Sequence, residues 1–435
     1  MRTPPSFRTS RASRRKNWSW RSCSTLTTQA SLSPPQQDFL ERCRELIDAS
    51  IIDPGAVTDA LGALMPGMAL AMQESAFNAA QAQFQNLKAR IAALRSGTQG
   101  SSFQGLALVG PGGSVSLGAL GQALTQDDTT ATQPTGEVGG GFQRWGFFAS
   151  GTIGRGEAEA GSTRPAYDYD INGLTAGLDY RVNDRLIFGG ALGYTRQDTE
   201  LQGAPGEMEM SGWSVSGYGT YYRDNSWYTD GVLTWGRNSF DLLRTITYTV
   251  PTPGGGSSTV SQTARSQSDG DMIEAAFTFG RDFQAGGWSI GPYGRLLYTR
   301  LDFDEIHDEM DPGTGSGLGL SIDARSLTSV ASEIGAKFTY AHSTDWGVVT
   351  PHFQVEWEHE FKDDPKAITA RFLADPTGAP FTLSGEEVDS DYFRMSVGLS
   401  IIMTKGRSGF LIYERTLGRN GFDQDNLGFG LRIEF

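Results

Sequence analysis

The sequence predicts an all-β fold, a twelve-stranded antiparallel transmembrane β-barrel of the outer-membrane type with an N-terminal α-helix in its lumen. Three observations support this prediction. From Trp145 onward, apolar and polar residues alternate with the period of two that puts successive side chains on opposite faces of a strand. Short turns alternate with long polar loops. The chain also ends on an aromatic residue that completes an alternating strand.

The alternation is clearest in three stretches, residues 186–195, 349–361 and 393–401. Tight turns at 182–185, 223–226, 284–287 and 404–407 alternate with longer segments such as 250–270, 302–316 and 374–391. A barrel wider than about eight strands encloses water rather than filling its interior with side chains. We therefore expect the apolar face to meet lipid and the polar face to line a lumen, as in outer-membrane barrels.

Several charged residues occupy the polar side of these strands. We predict that the lumen-facing polar residues include Glu356, Glu358, Glu360, Arg394 and Arg432. The three glutamates are expected to form a structural ion-pair ladder with Arg295, Arg394 and Arg432 rather than a catalytic carboxylate pair. Aromatic residues near strand ends are typical of girdles at the membrane interfaces; they are Trp145, Tyr180, Trp227, Trp288, Trp346 and Phe361.

The chain divides into five predicted regions. Residues 1–33 are basic and free of acidic residues, and we expect a disordered segment; either its start is misassigned or the chain lacks its true N-terminus. Residues 34–68 read as a short helical remnant or linker. An amphipathic helix follows at 69–97, then a Gly/Ser-rich linker at 98–141 and the barrel at 142–435.

The helix at 69–97 has the length and polarity for a lumen. Residues 69–95 give roughly 40 Å at about 1.5 Å per residue, more than an apolar band of about 25 Å. Its apolar stripe includes Phe77, Phe84, Leu87, Ile91 and Leu94. We predict that Gln81, Gln85, Lys88 and Arg95 are its lumen-contacting polar residues.

The last strand carries a predicted membrane-assembly signal. Its apolar face consists of Leu427, Phe429, Leu431, Ile433 and Phe435. An open sheet edge is not tolerated in lipid, so we expect this strand to pair with the first one and close the barrel.

The whole C-terminal region resembles the translocator domain of autotransporters, the type V secretion proteins of Gram-negative bacteria. The resemblance rests on stretches such as RWGFFASGTIG, GLTAGLDYRVNDRLIFGGALGYT, SGYGTYYRDNSWYTDGVLTWGRNSFD, GPYGRLLYTRLDF and LGFGLRIEF, preceded by the helix that ends in NLKARIAALR. It implies a monomeric barrel in the cell outer membrane, inserted by the barrel-assembly machinery into outer-membrane lipids. It also implies export and anchoring of the protein's own N-terminal passenger, with a helix spanning the lumen.

Two features depart from that family. Residues before the helix do not resemble a β-helical passenger, so either the passenger is nearly absent or the chain is a fragment. Some autotransporters cleave themselves beside paired asparagines in the helix. Asn78 and Asn86 stand alone, so we do not expect self-cleavage.

Other functions find little support in the sequence. A formal net charge of −14 disfavours nucleic-acid binding. No Gly-x-Ser-x-Gly or Gly-Asp-Ser-Leu block is present, so we predict no enzyme activity, catalytic residue, cofactor or metal site. The four histidines, His307, His342, His352 and His359, are interpreted as structural, and the acidic stretch 302–311 as a solvated loop rather than a Ca²⁺ site. The alternative to a translocator is a passive porin-like channel whose helix lies outside the lumen.

Overall fold

The computed structural model describes residues 32–95, 102–103, 106–110, 113–117, 145–161, 165–183, 185–202, 206–223, 226–345, 347–362, 367–385, 390–403, 407–418 and 424–433. Statements about structure below concern these residues. Residues 1–31 of the basic segment predicted at 1–33 lie outside them, as do the last two residues, including Phe435.

Three helices precede the sheet: α1 (Pro34–Ile52), α2 (Pro54–Leu64) and α3 (Gly67–Arg95). Proline in the first turn suits α1 and α2, because the missing N–H has no intrahelical acceptor there. Asp53 separates them and caps α2, since its carboxylate accepts from Gly55 N at 2.9 Å and Ala56 N at 3.2 Å. No single described helix is long and apolar enough to span a membrane. Helix α2 and residues 67–88 of α3 reach that length and hydropathy only when taken together, and the chain bends by 41° between them.

Twelve long strands follow in the described part of the chain, as the sequence predicts. They are β1 (Trp145–Ala158), β2 (Ala166–Asn183), β3 (Leu186–Gln202), β4 (Gly206–Tyr222), β5 (Trp227–Thr252), β6 (Gly256–Arg281), β7 (Trp288–Phe303), β8 (Arg325–Tyr340), β9 (Gly347–Glu360), β10 (Asp391–Met403), β11 (Arg407–Leu417) and β12 (Gln424–Ile433). Each pairs antiparallel with the next along the chain. This continuous antiparallel order confirms the predicted fold class.

The two edges of the sheet differ from the sequence-based expectation. Among the described residues β12 pairs with β11, and no backbone pairing joins it to β1, so the predicted closing pair stays a prediction. Ser102–Phe103 and Leu106–Gly110 pair with β1 in parallel instead. Leu106–Gly110 also forms a hairpin with Gly113–Leu117. The paired strands lie within the segment 98–141, which the sequence predicts to be a Gly/Ser-rich linker.

The two faces of the sheet are divided as alternation predicts. On β3, Leu192 is 64% exposed whereas its neighbour Ala191 is 5% exposed. The outward side chains of the other strands extend this apolar surface; they include Leu174, Leu178, Leu233, Phe277, Leu296, Ile334, Phe393 and Val397. Aromatic side chains border it, with Trp227 stacked on Phe279 and Trp288 packed against Tyr340. A continuous apolar surface of this kind is suited to lipid contact.

At the long-loop end the structure continues beyond this apolar surface. Strands β5 and β6 are the longest, with 26 residues each. The loops after β7 and β9 join in a second, four-stranded sheet made of Ile306–His307, Leu320–Ile322, Ile368–Phe372 and Phe381–Leu383. The interpretation of 302–311 as a solvated loop is wrong in part: Ile306 is 1% exposed, and Asp308 accepts from Leu320 N at 3.0 Å.

Candidate functional site

Helix α3 lies inside the curve of the main sheet. Arg90 on the helix contacts Asp179 of β2, Ser75 contacts Gln197 of β3, and Gln83 contacts Ser216 of β4. On another side, Lys88 Nζ lies 3.7 Å from Glu356 Oε1 of β9. Contacts with strands so far apart in the sheet order require the sheet to wrap around the helix. The inner wall and α3 therefore form the candidate site.

The helix has a defined direction within the wall. Near its beginning, the carbonyl oxygen of Ala69 accepts from Arg325 Nη2 at 3.1 Å, at the long-loop end of β8. Towards its end, Arg90 contacts Asp179, close to the short turn between β2 and β3. The N-terminus of α3 thus lies at the long-loop end and its C-terminus at the short-turn end.

The apolar stripe of α3 packs against small and apolar wall residues. Phe84, Leu87, Ile91 and Leu94 are at most 5% exposed and form one cluster with Ile187, Ala191, Tyr218, Val232 and Ala276. Gly193 permits the closest approach. A Cβ there would lie 2.5 Å from Gln83 Oε1 and 2.6 Å from Ser214 Oγ, so a larger residue would displace the side chain with which Gln83 reaches the wall.

Hydrogen bonds accompany this packing in the middle of the helix. Thr175 Oγ1 donates to Gln83 Oε1 at 2.7 Å and accepts from Asn86 Nδ2 at 3.2 Å. Gln83 Nε2 donates to Ser216 Oγ at 3.3 Å. These side chains are buried, so each bond satisfies a polar group that would otherwise have lost its water.

A buried ion pair fixes the second half of the helix. Asp179 Oδ2 accepts from Arg90 Nε at 2.9 Å and from Arg90 Nη2 at 2.7 Å. The Tyr218 hydroxyl lies 3.4 Å from the same oxygen. Arg90 is 0% exposed and Asp179 is 5% exposed. Such a pair orients the helix, because either charge alone would be buried without compensation.

A second charged cluster joins the helix to β7–β10. Arg394 Nη2 donates to Glu333 Oε1 at 2.6 Å and to Glu358 Oε2 at 2.5 Å, and its Nε lies 3.8 Å from Glu356 Oε2. Arg295 pairs with Glu333, and Lys88 of the helix lies beside Glu356. Three cations therefore face three carboxylates, and one of the cations belongs to α3.

The family model for the autotransporter β-domain matches residues 147–414. This chain belongs to the autotransporter β-domain family. It is the translocator unit of an autotransporter, a barrel of the Gram-negative outer membrane, as predicted.

Curated relatives match part of the chain. Esterase EstA of Pseudomonas aeruginosa is 25% identical over 268 residues, which are 61% of this chain and 37% of EstA. An extracellular serine protease of Serratia marcescens is 23% identical over 274 residues, 62% of this chain and 24% of the protease. The chain spans 37% of the length of EstA and 24% of the length of the protease.

Solved structures give a similar comparison. The translocator domain of NalP from Neisseria meningitidis has a TM-score of 0.46 at 15% identity, covering 67% of this chain and 88% of that one. The β-domain of the Bordetella autotransporter BrkA has a TM-score of 0.40 at 21% identity, covering 66% of this chain and 94% of that one.

The translocator brings together some of the predicted site residues and not others. Glu356, Glu358 and Arg394 meet in the charged cluster, together with Lys88. Glu360 shares their face but lies at the long-loop end, where it accepts from Val330 N at 3.0 Å. Several predicted residues have side chains outside the described set: Gln85, Arg95, Arg432 and those of the predicted assembly signal on β12. Gln81 of the helix is partly exposed.

Sequence reasoning missed several contact residues of the translocator. Glu333, Asp179 and Gln83 make wall–helix or wall–wall contacts but were not among the predicted site residues. The phase of alternation could have found Asp179, since it shares the inward face of β2 with Thr175. Within the described ranges no group of His, Cys, Asp or Glu is arranged to hold a metal ion.

Proposed function

We propose that α3 remains in the lumen of the translocator after export, as a plug and as the anchor of the segment that precedes it. The observation that supports this most strongly is the set of buried polar contacts from α3 to opposite sides of the wall, with Arg90 and Asp179 at its centre. Because the helix begins at the long-loop end, residues upstream of it would be displayed at the cell surface.

The proposal includes the partners expected for such a unit. Outer-membrane lipids would contact the apolar surface formed by residues such as Leu192 and Val397. The barrel-assembly machinery would recognise the terminal strand with Leu427, Phe429, Leu431, Ile433 and Phe435. The passenger would be the chain's own N-terminal segment, and the unit would act as a monomer without nucleic acid.

We also infer that this chain acts by transport rather than by catalysis. The esterase and protease named above are relatives several hundred residues longer than the matched region, and the match covers only part of each. The purified translocator should therefore show no hydrolysis of short-chain p-nitrophenyl esters or of casein above the rate of a heat-denatured sample. Hydrolysis that disappears on unfolding would contradict this inference.

Planar-bilayer recording tests the plug. The intact chain should show small conductance, and deletion of residues 69–95 should raise it clearly. A cysteine introduced as Gln81→Cys should resist a bulky maleimide, whereas Thr247→Cys, on the exposed face of β5, should react. Large conductance of the intact chain that the deletion leaves unchanged would instead support a porin-like channel.

A further inference from the structure

Helices α1 and α2, here called the cap, lie against the surface loops at the long-loop end. The carboxylate of Asp38 on α1 accepts from Gly315 N at 2.9 Å and from Gly317 N at 2.9 Å. The loop that carries these glycines connects β7 to β8. One side chain of the cap therefore satisfies two backbone donors of the barrel.

The contact between cap and loop is too close for a side chain. A Cβ on Gly317 would lie 2.3 Å from the carbonyl oxygen of Pro35 and 2.5 Å from Phe39 N. Both atoms belong to the backbone of α1, which cannot move aside as a flexible side chain can. Any residue other than glycine at 317 would separate α1 from the loop.

A hydrogen bond to a charged side chain joins the other side of α1 to the barrel. Arg42 lies 3.4 Å from Asp38 and also pairs with Glu45, whose carboxylate accepts from Ser258 Oγ of β6 at 3.0 Å. Burial lowers the pKa of the Arg42 guanidinium, but the neighbouring carboxylates of Glu45, Glu41 and Asp38 outweigh this effect and raise that pKa above its usual value. The cap is thus tied to the β5–β6 hairpin as well as to the β7–β8 loop.

One apolar core extends from the cap across the mouth of the barrel. Phe39 of α1 packs on Phe372 of the loop sheet with ring centroids 5.2 Å apart. The same core includes the inward residues Tyr169 of β2, Met210 of β4 and Phe240 of β5. Leu301 of β7 belongs to the same core, which therefore joins the cap to the long-loop ends of strands from β2 to β7.

The opposite half of the lumen is not filled. A cavity of about 430 Å³ lies beside the second half of α3, lined by Phe84, Lys88 and Ile91 of the helix and by wall residues such as Tyr293. Its lining extends to Gln284 and Ser289, around the short turn between β6 and β7. The helix therefore leaves room for water and small ions at the short-turn end.

From these two observations we propose that residues 34–66 have a function of their own: together with the first half of α3, the cap forms the permeability seal at the cell-surface mouth. The second half of α3 anchors the helix but does not by itself close the lumen. This goes beyond the role of α3 as a plug, because it assigns part of the barrier to residues that precede the lumen helix.

The test uses the full chain in planar bilayers and hydrogen–deuterium exchange of the same preparations. Gly317→Val should force α1 from the loop, so α1 should lose amide protection and ion conductance should rise several-fold. Asp38→Ala should also lower the amide protection of α1 and raise ion conductance, but by a smaller factor. Gly62→Ala in α2 is the control, because a Cβ there meets nothing within 4 Å; it should leave conductance and protection unchanged. Retained heat-modifiable migration in gels would show that the barrel is folded.

Two results would overturn the proposal. If α1 lost protection in Gly317→Val while conductance stayed at the wild-type level, α3 alone would make the seal. If α1 kept its protection in both variants, these contacts would not hold the cap. Failure of the plug itself would look different, since the unmodified chain would already conduct strongly.

Discussion

Replacing Asp179 by asparagine should loosen the second half of α3. The change removes the charge of the carboxylate that pairs with the fully buried guanidinium of Arg90 and preserves the size of that side chain. Removing one member of a buried ion pair costs about 3–5 kcal/mol. At about 1.4 kcal/mol per factor of ten, the population of chains with an unseated helix should rise by about 10²- to 10⁴-fold.

Amide hydrogen exchange measures this opening directly, because exchange of a protected amide reports the free energy of local opening. Exchange in the second half of α3 should accelerate in Asp179→Asn and largely recover in the double variant Arg90→Met/Asp179→Asn, where neither charge remains. Asp198→Asn is the control. The side chains of its ion pair with Arg196 are largely in solvent, with Arg196 46% and Asp198 53% exposed, and exposed pairs contribute about 0–1 kcal/mol to stability. Equal exchange in Asp179→Asn and in this control would refute the reasoning.

Three further predictions concern the wall and the terminus. Val397→Arg, on the lipid face, should reduce folding stability in vesicles by about 2–4 kcal/mol. Thr339→Arg, beside the lumen cavity, should reduce folding stability less, and equal reductions in the two variants would contradict the assignment of faces. Gly193→Ala should speed amide exchange in α3, because its Cβ would push the Gln83 side chain away from its hydrogen bonds to Thr175 and Ser216. Gly190→Ala on the outward face of the same strand should not change the exchange rate, and similar rates in the two variants would argue against the close approach. Deletion of Phe435 should lower the amount of heat-modifiable barrel in outer-membrane fractions, and normal amounts would show that the terminal aromatic is dispensable for assembly.

Much of the barrel follows from period-two alternation, because the face that a strand residue occupies depends on its phase alone. Phe188 and Leu192 are 53% and 64% exposed, as their phase in β3 predicts. The apolar stripe of α3 is buried for the analogous reason at helical spacing. The phase of alternation does not reveal which wall residue lies opposite a given helix residue. The sequence could therefore predict that polar helix residues meet charged wall residues, but not that Lys88 pairs with Glu356.

The cap could not be predicted in the same way. The loops that the cap packs against, after β7 and β9, contain short apolar segments separated by glycine and acidic residues, so their composition indicates polar connections. Leu320 pairs with Phe372, and Asp38 binds a loop almost 280 residues further along the chain. Contacts at such separation depend on the topology of the whole sheet, and local sequence pattern carries no information about them.

The long stretch of sequence between Asp38 and Gly317 also affects the order in which the parts of the protein assemble. The cap can be completed only after β7 and β8 have paired and the loop between them is in place, and after the β9–β10 loop has added Phe372 to the common core. Contacts distant in sequence form slowly, because their loop-closure entropy must be overcome first. Assembly of the wall would therefore precede docking of residues 34–66, and the mouth would stay open during the interval in which a segment has to pass.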